Sequence, residues 1–427
     1  MSKQNSSRMA ELAATISKNT EIFEHYLQLH NIPPLSFDKE APLDLNLPTQ
    51  ILQAQEEIFE ASVELQALAK GPFANIRNQT MPHCNLISLQ AIIRFGIATS
   101  FPIEANVSYK QISETCGLNE GELRRLLRHA MTNYIFHETD EGLVAHTAAS
   151  RVIAENQAFR DFIGMVCDEM WPAASRTVDA IVKWPGSQEP AHTGFAIANN
   201  IEETLFSELG KDPFRAKRFS NAMAMVNSEV GFESSHIVDA FTWWDSIRTF
   251  VDVGGSFGEV GIALANSFPS LHCTIQDLPV IVDQASTSVP QEISNRVTFM
   301  AHDFFTEQPV MGADVYLFRC VFHNHSDKYC IKILQRLIPA LKPGARIVIA
   351  EFIVPPPGSV SKYKEWLIRS MDLAMAELLN AKERDLDEWK ILFKNADGKF
   401  DLIGMKQPKG SKLYFIEARW NYLSSKF

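Results

Sequence analysis

Val251-Asp252-Val253-Gly254-Gly255-Ser256-Phe257-Gly258 reads as a short apolar strand ending in an acid, then a glycine turn, then the start of a helix. Glycine takes φ values that other residues resist and lets the backbone pass close to a ligand. A strand-to-helix turn of this kind aims N–H groups at whatever lies above it, so a nucleotide-like ligand is the first expectation. The turn alone is a weak signal. Its pattern is G-G-x-x-G, without the G-x-G-x-x-G spacing of the dinucleotide fingerprint and without the Lys-Ser/Thr ending of a P-loop. A purely structural turn in an α/β domain is the competing reading.

The downstream sequence supplies what the turn lacks. Leu271-His272-Cys273-Thr274-Ile275-Gln276-Asp277 reads as a second strand, again ending in an acid. That acid falls about 20 residues past the turn, where a parallel sheet places a carboxylate on ribose hydroxyls. Residues Arg296 to Phe305 give a third strand containing Asp303, Ala313 to Arg319 a fourth, and Arg346 to Glu351 a fifth, after the turn Lys342-Pro343-Gly344. Short β-branched runs alternating with helical segments predict an α/β fold built on a doubly wound parallel sheet. Ligands in such sheets sit above the carboxyl ends of the strands. Asp252, Asp277, Asp303 and Glu351 should therefore ring one crevice.

Composition narrows the class. The chain has 427 residues, 46% of them hydrophobic, enough for two or more domains with their own cores. Its 40 basic and 51 acidic side chains leave a net charge of -11, which argues against a nucleic-acid partner. Cys84, Cys116, Cys167, Cys273, Cys320 and Cys330 show no zinc-like spacing, so no metal is expected and buried free thiols are. No segment resembles a signal peptide or a membrane span, and the expected location is the cytoplasm.

Upstream of the sheet the pattern is helical. Residues 1–30 suggest an amphipathic helix, the prolines between 33 and 48 an extended connector, and residues 49–70 and 83–98 two more helices. Residues 107–129 then read as helix, glycine turn and capped helix. Residues 135–138 and 142–146 follow as a two-stranded wing. This is the outline of a winged helix. Arg124, Arg125 and Arg128 on its second helix could face phosphates, but the acidic chain favours a solvated or ion-paired face. Residues 190–235 read as helical. The predicted organisation is an N-terminal helix and connector over 1–48, a winged-helix-like domain over 49–185 and the sheet domain over 186–427.

The ordered set Val-Asp-Val-Gly-Gly, Gln276-Asp277-Leu278-Pro279, His302-Asp303-Phe304-Phe305 with Gln308-Pro309, Ala313-Asp314-Val315-Tyr316, His323-Asn324-His325-Ser326-Asp327 and Ala340-Leu341-Lys342-Pro343-Gly344 resembles the plant and fungal small-molecule O-methyltransferases, the fungal secondary-metabolism branch most. His146-Thr147-Ala148-Ala149-Ser150 and Asn380-Ala381-Lys382-Glu383-Arg384 extend the resemblance to about residues 50–425. It implies a Rossmann-like domain that binds S-adenosylmethionine (SAM), and an N-terminal, mainly α winged-helix domain used for homodimerisation and for shaping the substrate pocket. No membrane partner is implied.

The resemblance also assigns roles. Gly254, Gly255 and Gly258 should approach the methionine part of SAM, with Asp252 at the strand end below. Asp277 should accept from the ribose hydroxyls, since a carboxylate offers two acceptor oxygens to two vicinal donors. Leu278 would lie beside adenine, Asp303 and Phe304 would hold and flank it, and Arg319 would lie near the cofactor. For Asp303 a capping role is the alternative. His323 falls on the family's general base, and Glu351 and Glu383 on the two acids that flank it. A carboxylate on the far imidazole nitrogen fixes the tautomer, as in a hydrolase triad. A phenol has a pKa near 10, within reach of a positioned imidazole.

One departure stands out: His325 occupies the position where the family usually has Trp. His146, Phe162, Met165, Met170, Trp171, His325, Met371 and Met375 are candidates for a substrate pocket that accepts flat rings. Ordinary core packing is the alternative for these, and a hydrogen-bonded structural role for His146. The expected function is SAM-dependent methylation of a phenolic or enolic hydroxyl on a polyketide-like small molecule. A second class remains: relatives that bind SAM, transfer no methyl and catalyse dehydration or pericyclic ring formation. In those the catalytic His is typically replaced by a cationic residue, whereas His323 is kept here.

Overall fold

The computed structural model describes residues 6–285 and 289–421. The chain divides into two compact units. The first runs up to Trp171 and adds Pro213–Met225 and Ser361–Tyr363; the second holds Pro172–Asp212, Val226–Val360 and the chain from Lys364 onward.

In the first unit, helix α1 (Arg8–Leu29) packs along α2 (Thr49–Thr80). The second helix runs ten residues beyond its expected end, because Gly71 at φ 69° and Pro72 kink it without stopping it. Helix α3 (His83–Arg94) leads to the winged-helix motif. Ser108 and Gln111 form a capping box on α4 (Tyr109–Cys116), Gly117 ends that helix at φ 70°, and Asn119 caps α5 (Glu120–Met131). The wing is the antiparallel pair β1 (His137–Glu138) and β2 (Val144–Ala145). Ile92, Ile97, Leu123, Leu127, Phe136 and Val144 make its core. The arginines of α5 are all ion-paired: Arg124 with Glu120, Arg125 with Glu122, and Arg128 with Glu138.

The second unit is built on a seven-stranded sheet with strand order β5-β4-β3-β6-β7-β9-β8. The five strands expected from sequence form as β3 (Thr249–Val253), β4 (His272–Asp277), β5 (Val297–Ala301), β6 (Val315–Arg319) and β7 (Arg346–Glu351), all parallel. Both faces are covered, which is why these segments read as continuous apolar runs. Val251, Val253, Ile347 and Ile349 enter one core and Phe250, Val348 and Ala350 the other, as the two-residue period requires.

Two strands escaped the sequence reading. The antiparallel pair β8 (Phe400–Lys406) and β9 (Tyr414–Trp420) extends the sheet beyond β7 and makes it mixed. The expected helical stretch 190–235 is broken into Gly194–Asn199, Leu205–Leu209, Pro213–Asn227 and Ser235–Ala240. Asn200, in the left-handed region at φ 54°, ends the first piece, and Pro213 opens the third.

Candidate active site

The site forms where β6 ends. Arg319 is its last residue, and Cys320 then takes φ 53°, a left-handed value that a side-chain-bearing residue holds only when its surroundings demand it. Its N–H is fixed on the carbonyl of Ala350 at 3.0 Å. The kink sends the chain into a single 3-10 turn, Phe322–Asn324, which carries His323.

Two buried glutamates hold this turn in different ways. Glu383 Oε1 lies 2.9 Å from His323 Nδ1, which leaves Nε2 as the unprotonated nitrogen of the neutral ring. Glu351, at the end of β7, accepts with Oε1 from the N–H groups of Val321 at 2.9 Å, Phe322 at 2.8 Å and His323 at 3.4 Å. Its Oε2 is 3.9 Å from Nδ1, too far for a hydrogen bond, and has no other partner. The sequence reading has both acids flanking the imidazole. In the structure Glu383 is hydrogen-bonded to the ring, while Glu351 holds the backbone that carries it and keeps its second oxygen 3.9 Å from Nδ1.

Burial alone would discharge the His323 ring, but the Glu351 charge and the Glu383 hydrogen bond outweigh it and raise its pKa to about 9. Burial raises the Glu351 carboxyl, opposed by the His323 charge. His325 moves the other way, down to about 4, because burial and the neighbouring His323 charge both disfavour a second cation. At neutral pH its ring is therefore an uncharged aromatic surface. It packs edge-on against Phe304 and Phe305, with centroids 5.6 and 5.2 Å apart. An aromatic wall thus persists where the family's tryptophan is missing.

The glycine turn uses its N–H groups internally. Gly254 and Gly255 both donate to the carbonyl of Gln276, at 2.8 and 3.0 Å, and Ser256 donates to Asp277 Oδ2 at 2.9 Å. A Cβ on Gly255 would meet Asp252 Cγ at 2.6 Å, and one on Gly258 would meet Ile275 Cδ1 at 2.4 Å. These two glycines let the turn lie flat on the strands. The missing side chain of Gly254 instead faces Val321 and Phe304, 3.0 and 3.9 Å from an ideal Cβ.

The remaining strand-end residues divide into floor and rim. Asp252 is buried beneath the turn, where desolvation lifts its carboxyl to about 7 against the pull of Arg319. Arg319 donates to the carbonyl of Phe232 at 2.7 Å. Asp277 is half-buried at the rim with the exposed Leu278 beside it, and its second oxygen takes the Leu278 N–H. Asp303 accepts the Phe305 N–H at 2.9 Å and so caps a turn, with the rest of its carboxylate uncommitted. These residues fit SAM: a carboxylate with free lone pairs for a diol, an exposed apolar neighbour, an aromatic face, and a backbone bare of side chain at Gly254.

The pocket candidates scatter. His146 is fully buried, packed on Phe101 and Phe136 and bonded through Nδ1 to Ser150, with no surface open to solvent. Met165 is buried. Phe162 lines an apolar cavity of about 490 Å³ in the first unit, with Phe159, Leu86, Leu89 and Ile153. Met170 and Trp171 are half-buried at the end of a π-helical turn, Val166–Met170, whose acids Asp168 and Glu169 are clamped by Arg94, Arg215 and Arg218. Met371 and Met375, half-buried, sit one turn apart on the helix Lys362–Leu379.

Sequence reasoning missed three contributors: Cys320 through its backbone, Asp372, which accepts the Glu383 N–H at 2.9 Å, and Arg384. Only Arg384, adjacent to Glu383, carried a usable signal. Cys320, His323 and Glu351 each bring one metal-ligating atom within 4.8 Å of the others, but Nδ1 of the imidazole is committed to Glu383.

Comparison with known proteins identifies the family. An O-methyltransferase domain model matches residues 187–398. The chain is 39% identical to the grayanic acid biosynthesis cluster O-methyltransferase of Cladonia grayi, over 97% of this chain and 88% of that one. It is 38% identical to the chlorophenol O-methyltransferase of Trichoderma longibrachiatum, over 97% and 91%. Its fold superposes on OxaC, a protein also solved in complex with SAH, with a TM-score of 0.76, 21% identity, and coverage of 97% of this chain and 99% of that one. With a matching domain model and relatives that align along nearly its whole length, the chain belongs to the SAM-dependent O-methyltransferases.

Proposed function

We propose that this enzyme methylates a phenolic or enolic hydroxyl of a polyketide-like secondary metabolite, with His323 as general base. The observation that carries the reading is the His323 Nδ1–Glu383 contact of 2.9 Å. It leaves Nε2 free to take a proton and places a carboxylate to stabilise the imidazolium that results. The Glu351 charge and the Glu383 hydrogen bond raise the imidazole toward the phenol's pKa near 10, so a phenol is a matched proton donor. An aliphatic alcohol is far less acidic and would not be matched. The relatives named for chlorophenol and for a biosynthetic cluster point the same way.

SAM supplies an activated methyl group on a sulfonium. Asp277, Leu278, Asp303, Phe304, Gly254 and Arg319 would hold it, and Phe304, Phe305 and His325 would screen the site from water. Met371 and Met375, in the same unit as His323, remain candidates for contact with the acceptor. Homodimerisation through the first unit is part of the proposal, supported by exposed apolar residues on α2. Six free cysteines suit a reducing cytosol.

His323→Ala should lower kcat at least 100-fold while SAM still binds, by calorimetry no more weakly than to wild type, since a cation beside the sulfonium has been removed. Undiminished turnover would remove the base. Mass spectrometry of the product decides the reaction class. A gain of one methylene with S-adenosylhomocysteine formed is transfer, whereas an isomer or dehydrated product with SAM unconsumed is the pericyclic or dehydrating reading.

A further inference from the structure

We propose that Arg384 is a positioning residue for His323, gripping the turn Phe322–Asn324 by its carbonyls while Glu351 grips it by its N–H groups. The proposal rests on the reading of His323 as base.

Arg384 is 1% exposed, among the most buried cations of the chain. A buried guanidinium is costly unless its donors are matched. Here Nη1 donates to the carbonyl of Phe322 at 3.1 Å and Nη2 to that of His325 at 2.8 Å. Those carbonyls lie immediately before His323 and two residues after it. Nε and Nη2 also reach Asp327 Oδ1, both at 2.9 Å, and the guanidinium lies 5.6 Å from the Trp389 ring centroid. The planar fork spans the turn and anchors it to the first residue of the helix Asp327–Leu337.

Charge complementarity makes this specific. The turn shows N–H groups to the Glu351 carboxylate and carbonyls to the Arg384 guanidinium, so anion and cation each meet the matching end of the peptide dipoles. Arg384 also follows Glu383, the residue bonded to the imidazole, and its own carbonyl accepts the Val354 N–H at 3.0 Å. One dipeptide therefore fixes both the ring and the loop that bears it. Lysine offers three donors on one compact ammonium, without the planar fork that here spreads them over separate nitrogens to two carbonyls and a carboxylate.

The groups facing the imidazole are Glu351, Glu383, Cys320 and the neutral His325. Loosening the turn moves the ring away from both carboxylates, so its titration must fall. The test uses full-length Arg384→Lys and Arg384→Met. We expect kcat to drop 10- to 100-fold, as about 1 Å of misplacement does, with KM for SAM within twofold. In Arg384→Lys, which keeps the charge, we also expect the His323 imidazole, followed by NMR, to titrate at least about half a unit below wild type. A kcat within twofold of wild type overturns the proposal, and so does a loss of kcat in Arg384→Lys with the imidazole titration unmoved. Should Arg384→Met not fold, Arg384→Lys, which keeps the charge, decides alone. The NMR readout needs no turnover. If His323→Ala retains activity the base assignment falls, while the titration still reports whether Arg384 aims the ring.

Discussion

At the residue scale the chemistry turns on one proton. An imidazole raised to about 9 is roughly nine-tenths charged at pH 8 in the free enzyme. Its folded pKa lies above the ordinary value of about 6.5, so its contribution to stability is fully present below pH about 6.5 and is lost as pH rises through 9. A base must be neutral, which makes the charge a resting state that something has to discharge. A second cation brought alongside does so. Binding of SAM, a sulfonium, at pH 8 should therefore release a substantial fraction of a proton, and binding of S-adenosylhomocysteine, a neutral thioether, close to none. Calorimetry in two buffers of different ionisation enthalpy counts those protons. Equal release for both ligands would mean that the imidazole does not sense the sulfonium. His323→Asn should bring the SAM value to that of the thioether.

At the element scale the glycine turn and the strands beneath it form one packing unit. Gly258 combines φ 80° with a Cβ position 2.4 Å from Ile275 Cδ1 and 2.9 Å from Phe299 Cζ. Gly312 has a similar φ of 68° and open space around it. Gly312→Ala should cost only the left-handed penalty, about 1–2 kcal/mol. Gly258→Ala should add about 1–3 kcal/mol of overpacking. Removing Cδ1 by Ile275→Val in the Gly258→Ala background should recover part of that addition, a coupling that urea denaturation of the two single variants and the pair would measure. Strict additivity would show that the turn does not rest on Ile275. This unit was legible in sequence because every part of it is local: an apolar run, a terminal acid and a glycine cluster within a few residues. Strands β8 and β9 went unread: β9 is buried almost continuously, so it lacks the alternation of a half-exposed strand, and the one cue is the turn Pro408-Lys409-Gly410 between them. The site was half legible. His323, Glu351 and Glu383 were found by their places in motifs that resemble those of the O-methyltransferases. The backbone grip of Glu351 depends on the left-handed kink at Cys320, and no feature of a cysteine in sequence forecasts that conformation.

At the scale of the whole molecule, surface character separates the remaining alternatives. The winged-helix outline admitted a nucleic-acid reading, but Arg124, Arg125 and Arg128 each meet a glutamate within the same unit, so that face offers phosphates little free positive charge. What the first unit does expose is apolar. Beyond the kink of α2, Phe73 is 91% exposed, Ile76 67% and Met81 56%. Elsewhere in the same unit Leu86, Leu89, Phe159 and Phe162 line the cavity of about 490 Å³. We read these exposed apolar side chains as part of a contact face. A second copy is the simplest occupant, since a self-complementary patch needs no other partner. Light scattering at micromolar concentration should return twice the 48.0 kDa chain mass. The pair Phe73→Asp and Ile76→Asp should return the single chain mass with the helical circular dichroism retained, because both side chains are already in water in the isolated chain and their loss removes no core contact. A wild-type monomer, or a double variant that stays dimeric, would place the contact elsewhere or abolish it.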